Sequence, residues 1–260
     1  MAALDVDDVA LAHELASVGS SVALRYFEAG VAHELKLDGS PVSAADLAVE
    51  KRLIDLLQQR RPRDGILSEE AGQVAAGRRR WLLDPIDGTT FFISGQVGWG
   101  THVALEVDGR IRLAIITRPV AGRRWWAVAK GGAYADTEDS PMARLERLTV
   151  SRTDRIERAA VGVFASAGSP VPLLLEQAGA RVFEPGSLIP DLLEGRLDAV
   201  VAHNCGLAWD HAPAVLLVTE AGGQFTDPDG GQDHDRHGGV YTNGRLDPQL
   251  PDALGSAWRR

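Results

Sequence analysis

A chain of 260 residues with 45% apolar and 24% charged side chains can bury a substantial core and suits one large domain or two tightly joined halves. Its formal net charge of −9 excludes a nucleic acid or an anionic membrane held by bulk electrostatics, and the single cysteine, Cys205, excludes an internal disulfide and a cysteine-rich zinc site. The acidic start "MAALDVDDVA" lacks a basic segment followed by an apolar one, and no apolar run approaches the roughly 18 residues of a membrane span, so the expectation is a soluble, cytoplasmic protein.

Leu11, Leu15, Val18, Val22 and Leu24 recur at helical spacing and predict a first helix over 5–28. "SPVSAADLAVEKRLIDLLQQRRP" predicts a second, with Ser43 as N-cap, Asp46 in the first turn and Pro62 beyond the end. Short strands follow in "GILSEE" and "WLLDP", the latter ending at Asp84 and kinking at Pro85. "THVALEVDGRIRLAIITRP" reads as two strands joined by a hairpin at Asp108-Gly109, with His102 a structural residue of the first. "RRWWAVAKGGAYAD" reads as one more neighbouring strand, with Trp125 and Trp126 in packing rather than substrate contact.

Beyond about residue 145 strands and helices alternate: "AAVGVF", "PVPLLLEQAG", "RVFE", "SLIPDLLEG", "LDAVVAH", "WDHAPAVLLVTEAGG" and "QFTD". The alternation predicts layered α/β packing, in two α/β halves, 1–145 and 146–260, that share a cleft. "DPDGGQDHDRHGG", with His234 and His237 in the 233–237 stretch, reads as a solvated hairpin loop rather than a metal loop.

Carboxylates stand at three strand or helix ends: Glu69 and Glu70, Asp84 and Asp87, and Asp210. Each alone has an ordinary reading, as a solvated loop, a turn, or a helix N-cap. Together they sit where sites form in α/β folds, and converging carboxylates repel unless a cation lies between them. Oxygen ligands without cysteine favour Mg2+ or Mn2+, with Ca2+ as competitor. Bound cations would also draw an anionic phosphate into an acidic protein. "DGTTFF" reads as a turn into a short helix: Gly88 permits close approach of a phosphate to backbone N–H groups, and a threonine hydroxyl orients a water. The composite is a phosphoester hydrolysis site. The absence of a G-x-x-x-x-G-K-[ST] loop and of a G-x-S-x-G elbow argues against an NTPase or a serine hydrolase, and Cys205 has no His–Asp arrangement to make it a nucleophile.

"LSEEAG", "WLLDPIDGTTFF" and "AWDHAPAVLLVTEAGG", in that order, with "KLDGSPVSAAD" and "KGGAYAD" in support, resemble the inositol monophosphatase superfamily of metal-dependent, typically lithium-sensitive phosphatases over nearly the whole chain. The resemblance implies an alternating α-β-α-β-α layered fold of the inositol monophosphatase/fructose-bisphosphatase type, usually a homodimer. It implies that Glu69, Asp84 and the carbonyl of Ile86 hold one Mg2+, and that Asp84, Asp87 and Asp210 hold a second. Glu69 and Thr89 would position the attacking water, and Asp46 would support Thr89 or a third, weaker metal, although from the residues alone Asp46 is a helix-cap acid. Amides of Gly88 and Thr89 would hold the phosphate.

"FISGQVGWGTHVALEVDGRI" and "GRRWWAVAKGGAYAD" are most similar to the histidinol-phosphate phosphatase branch, which implies histidinol phosphate as substrate and a place in histidine biosynthesis. Inositol phosphates, a related cyclitol or sugar phosphate, and a 3′-phosphoadenosine nucleotide remain the alternatives. Members often carry a glutamate seven residues before the Trp-Asp aspartate. Here that position is His203, followed by Asn204, and these two are assigned to the leaving-group side. His211 reads either as a substrate contact or as a solvent-facing residue.

Overall fold

The computed structural model describes residues 4, 6–30, 33–35, 41–139, 142–184, 188–247 and 249–259. Residues 36–40 of "KLDGSPVSAAD" and the first residue of "SLIPDLLEG" lie outside the described residues. The chain falls into two compact units, 1–129 with 134–146, and 130–133 with 147–260.

In the first unit, helix α1 spans Val6–Ala29 and α2 spans Ala44–Arg60. The buried side of α1 is built from small and branched residues (Leu11, Ala12, Leu15, Ala16, Ala23), all fully enclosed. Gly19 lets this helix approach the sheet closely, since a Cβ there would sit 2.8 Å from Thr101. Helix α2 starts where Ser43 predicts: the Ser43 hydroxyl accepts from the Ala45 amide, and the Asp46 carboxylate accepts from the Ser43 amide at 2.8 Å. A short antiparallel ribbon, β1 (His33–Leu35) and β2 (Pro41–Ser43), precedes it.

The large sheet has eight strands: β3 (Gly65–Ser68), β4 (Gly72–Ala75), β5 (Arg79–Asp87), β6 (Gly100–Val107), β7 (Arg110–Arg118), β8 (Arg123–Val128), β9 (Gly132–Thr137) and β10 (Glu146–Arg147). Its order is β10-β9-β8-β7-β6-β5-β3-β4. β3 and β5 are parallel, while β5 through β8 form an antiparallel meander. The β6–β7 hairpin turns at Asp108 (φ 53°) and Gly109 (φ 72°), the doubly positive geometry of a two-residue type I′ turn. Asp8, fully buried in α1, ties three elements together by accepting from Arg61 after α2 (3.2 Å) and Arg79 at the start of β5 (2.7 Å).

Two sequence expectations need correction here. β5 does not stop at Asp84 but runs on to Asp87. "RRWWAVAKGGAYAD" is two strands, β8 and β9, because Lys130 (φ 65°) and Gly132 (φ 94°) turn the chain between them. Trp125 and Trp126 are both buried, with Trp126 stacked on Tyr134 at 5.1 Å between ring centroids.

The second unit holds a mixed sheet of order β12-β11-β13-β15-β14, from β11 (Ala160–Ala165), β12 (Arg181–Phe183), β13 (Ala199–His203), β14 (Gln224–Thr226) and β15 (Gly239–Thr242). β11, β12 and β13 are mutually parallel, and β15 is antiparallel to both of its neighbours. Helices α4 (Val171–Gln177), α5 (Leu188–Leu193), α6 (Ala208–Glu220) and α7 (Gln249–Leu254) belong to this unit, with α3 (Thr89–Ile93) in the first. Pro190 occupies the first turn of α5, where its missing N–H has no intrahelical partner to lose. The 233–237 loop is not simply solvated. Asp227, itself buried, accepts the amides of Asp229, Gly231 and Asp233 at 2.8–2.9 Å, and His234 is buried too. No helix among the described residues is long and apolar enough to cross a membrane.

Two outcomes follow from packing in the first unit. A Cβ on Gly100 would lie 1.7 Å from the Thr117 carbonyl oxygen, so Gly100→Ala is expected to lower the melting temperature by about 10 °C or more, as read by circular dichroism. Burial and then Arg124 depress His13 to a pKa of about 4, and its Nδ1 accepts from Arg124 at 3.1 Å. A depressed histidine contributes stability that is present above its unfolded value near 6.5 and is lost as pH falls from there toward 4. The loss should reach about 3 kcal/mol at pH 4, and His13→Gln, which keeps an acceptor for Arg124, should flatten that part of the stability–pH curve. Identical slopes for the two proteins would refute the assignment.

Candidate active site

β3 and β5 run parallel, with Ser68 opposite Leu83, so the chain leaves both strands at the same edge of the sheet. The Glu69 amide donates to Leu83 O at 3.1 Å, which sets Glu69 next to the end of β5. Along β5 the pairing with β6 is regular up to Asp84 opposite His102 and resumes at Asp87 opposite Gly100. Pro85 and Ile86 are thus matched by Thr101 alone, which makes a bulge, the place where a strand tolerates proline. The Thr101 hydroxyl donates to the Pro85 carbonyl at 2.9 Å. In a regular strand residues three apart face opposite sides. The extra residue restores parity and turns Asp84 and Asp87 the same way.

Gly88 caps α3 with φ 80°, and a Cβ there would sit 2.9 Å from Gly98 O, so the turn admits glycine. It delivers Thr89, whose buried hydroxyl lies 3.1 Å from Ile86 O and 3.4 Å from Asp46 Oδ1. Asp46 therefore does both things that the sequence held apart: Oδ2 caps α2 through Ser43, and Oδ1 faces Thr89. One helical turn further, Glu50, buried to 5% exposure, accepts the Glu70 amide at 3.0 Å, the Ala71 amide at 3.1 Å and the Ser68 hydroxyl. Glu50 holds the turn that carries Glu69. Sequence reasoning missed it, although its i+4 spacing from Asp46 puts it on the same helix face.

Asp87 is flanked by two basic groups that were not expected. Arg118, nearly buried at the end of β7, donates to Asp87 Oδ2 at 2.9 Å, and His102 Nε2 lies 3.3 Å from the same oxygen. Burial pushes the Asp87 carboxyl up, but the electrostatic pull of His102 and of Arg118, together with the Arg118 hydrogen bond, outweighs it and holds the group below the usual carboxylate range. Asp84, Asp87 and His102 each offer one ligand atom, and these atoms lie within 4.8 Å of one another. Two carboxylates and an imidazole so close together fit a divalent cation. Glu69 is not a member of that group among the described residues, and the Ile86 carbonyl accepts from Thr89.

The remaining predicted residues belong to the second unit. Asp210, in the first turn of α6, accepts the Leu207 amide at 2.7 Å. His203, buried at the end of β13, has Nδ1 2.7 Å from the Ser169 hydroxyl. Asn204 is exposed, in a left-handed conformation at φ 53°. His211 does not face solvent. Its Nδ1 lies 2.7 Å from the Tyr241 hydroxyl and its Nε2 accepts from the Gly238 amide at 3.3 Å, and burial lowers it to a pKa of about 4. Burial, and then Asp210, push the Cys205 thiol up to about 11, which keeps it a poor nucleophile.

Comparison with known proteins places this geometry. The model of the inositol monophosphatase family matches residues 5–258. The chain is 33% identical over 260 aligned positions to a histidinol-phosphatase of Streptomyces coelicolor, covering 94% of this chain and 96% of that one. It is 46% identical over 237 positions to a Streptomyces griseus protein called a glucose-1-phosphate thymidylyltransferase, covering 90% and 91%. It superposes on an IMPase of Thermotoga maritima with a TM-score of 0.86 at 22% identity, covering 96% and 97%, which shows a common mixed α/β fold with two sheets and helices.

Glu50→Ala strands two backbone donors and the Ser68 hydroxyl. It is expected to cost on the order of 3 kcal/mol and to speed amide exchange at Glu70 and Ala71, while Glu50→Gln, which keeps an acceptor oxygen, should do much less. Unchanged exchange in Glu50→Ala would remove the supporting role.

Proposed function

The chain belongs to the inositol monophosphatase family and is a phosphatase acting on small phosphorylated metabolites, and on that premise we propose that it hydrolyses histidinol phosphate with Mg2+, or Mn2+ in its place, bound at Asp84 and Asp87. The observation that carries this reading is the pair Asp84 and Asp87 turned to one side of β5 by the bulge, with Thr89 and Asp46 beside them. Bound there, the cation supplies positive charge for the phosphate oxygens and the leaving alkoxide. Glu69, the Ile86 carbonyl and Asp210 complete the ligand sets, two or three ions in all, on this reading.

The chain's own groups do the rest. Thr89 Oγ1 donates its proton toward Ile86 O or Asp46 Oδ1, which leaves its lone pairs to accept from a water. A water held that way directs its own lone pair at phosphorus, and the Glu69 carboxylate takes its proton as the bond to phosphorus forms and the bond from phosphorus to the ester oxygen breaks. The leaving alkoxide departs as the alcohol after taking a proton from solvent water. The amides of Gly88 and Thr89 hold the phosphate. Of the three candidate substrate-side residues, Asn204 presents an exposed side chain, whereas His203 and His211 are buried and act through the loops they fix. A homodimer, lithium sensitivity and a cytoplasmic location belong to the same reading.

Histidinol phosphate is favoured by the "WGT" and "GRRWWAVAKGGAYAD" stretches and by the Streptomyces coelicolor relative. Inositol 1-phosphate, another cyclitol or sugar phosphate, and 3′-phosphoadenosine 5′-phosphate are the other candidates. The name of the Streptomyces griseus relative describes nucleotidyl transfer, a different reaction, but it adds glucose 1-phosphate to the esters worth testing. In a phosphate-release panel over these esters, histidinol phosphate should show the highest kcat/KM. Chelation should abolish turnover, and Mg2+ should restore it. Asp87→Asn should lower kcat/KM at least about 1000-fold, with a melting temperature measured alongside because Arg118 loses its counter-ion. Full activity in a folded Asp87→Asn protein would sink the metal-ligand scheme, and a different best ester would replace the substrate.

A further inference from the structure

We propose that His102 is a third protein ligand of the cation site at Asp84 and Asp87, and that its nitrogen biases the site toward Mn2+ and its transition-metal neighbours over Mg2+. The inference rests on the reading of Asp84 and Asp87 as metal ligands and adds an inner-sphere donor to it.

Topology puts the residue there. His102 is the direct cross-strand partner of Asp84 in the antiparallel β5–β6 pair, so the two side chains project from the same face with Cβ atoms about 5 Å apart. The bulge that turns Asp87 to that face makes it the third member. The ligand atoms of all three lie within 4.8 Å of one another. An ion with bonds of about 2.1 Å spaces its ligand atoms at about 3 to 4.2 Å, so closing onto it requires side-chain movements of less than about 1 Å.

The state of the imidazole is the second observation. His102 is buried, with 5% exposure, yet neither ring nitrogen completes a hydrogen bond among the described residues. A histidine kept for packing ordinarily satisfies at least one nitrogen, because an unpaired buried polar group is costly. Asp87 Oδ2 lies 3.3 Å from Nε2 and is already taken by Arg118 at 2.9 Å. The other Asp87 oxygen remains for a cation, with the imidazole nitrogen beside it.

Arg118 decides which ions profit. A fixed guanidinium on Asp87 opposes any added dication by Coulomb repulsion. An ion that binds oxygen alone suffers that penalty without return. Mg2+ prefers oxygen and retains its waters, whereas imidazole suits the later first-row ions, with affinity rising along the series from Mn2+. A nitrogen ligand therefore offsets the Arg118 charge selectively.

The test is Mn2+ binding followed by calorimetry and by pulsed electron paramagnetic resonance on the full chain. The spectrum of the Mn2+-loaded protein should carry nitrogen-14 modulation that changes to the nitrogen-15 pattern on labelling histidine. His102→Leu should abolish the modulation and weaken Mn2+ at least tenfold, with Mg2+ affinity changing less than twofold. His102→Asn serves if the leucine variant does not fold. Mn2+ binding without nitrogen modulation overturns the His102 assignment and leaves the carboxylate site standing. No Mn2+ or Mg2+ binding overturns both. Nitrogen modulation in a protein that releases phosphate from no ester supports the ligand while rejecting the proposed reaction.

Discussion

Asp84 and Asp87 are three residues apart, and a strand that alternates its side chains sends such a pair to opposite faces. Everything at this site depends on the one extra residue that corrects the count. With Pro85 and Ile86 set against Thr101 alone, both carboxylates turn to one side of β5. The parallel neighbour β3 ends beside them and passes into Glu69, whose amide is already bonded to Leu83. A proline in mid-strand, otherwise a defect, is what makes the irregularity durable. It has no ladder donor to lose, and its carbonyl is held by Thr101.

The first unit holds these carboxylates in place from two directions. From α2, Asp46 and Glu50 accept hydrogen bonds from the turns that follow β5 and β3, so the loops bearing Thr89 and Glu69 are fixed by a helix rather than by each other. From the meander, Arg118 on β7 and His102 on β6 bring positive or nitrogen-donor groups to Asp87. The site is thus organised by elements contiguous in the sheet and by the helix packed on it.

Features governed by local chemistry could be read from the chain alone. The Ser43 cap, the Asp108-Gly109 hairpin and the alternation after residue 145 all have causes within a few residues, and all occur as expected. Features governed by pairing could not. The extension of β5 to Asp87 is visible only against β6, and the split of β8 from β9 depends on positive φ at Lys130, a residue with no intrinsic preference for it. Family membership was legible because "WLLDPIDGTTFF" compresses the strand end, the bulge and the cap into one motif. His102 reads as a structural residue of its strand and Arg118 does not stand out, because each is 15 or more residues from Asp87 in sequence and ordinary in its own strand. Only the register of three strands assembles them.

The double duty of Asp46 has a consequence for how such a protein can change. Its two oxygens serve different masters, one the start of α2 and the other the hydroxyl of Thr89. A substitution there alters helix initiation and the setting of the Thr89 hydroxyl in the same stroke, so the second cannot be changed without jeopardising the first. Glu50 couples its helix to the Glu69 turn in the same manner. The turns that follow β3 and β5 are therefore shielded from gradual tinkering by the helix that holds them. Innovation is left to residues such as Asn204, which lies exposed on a loop of the second unit.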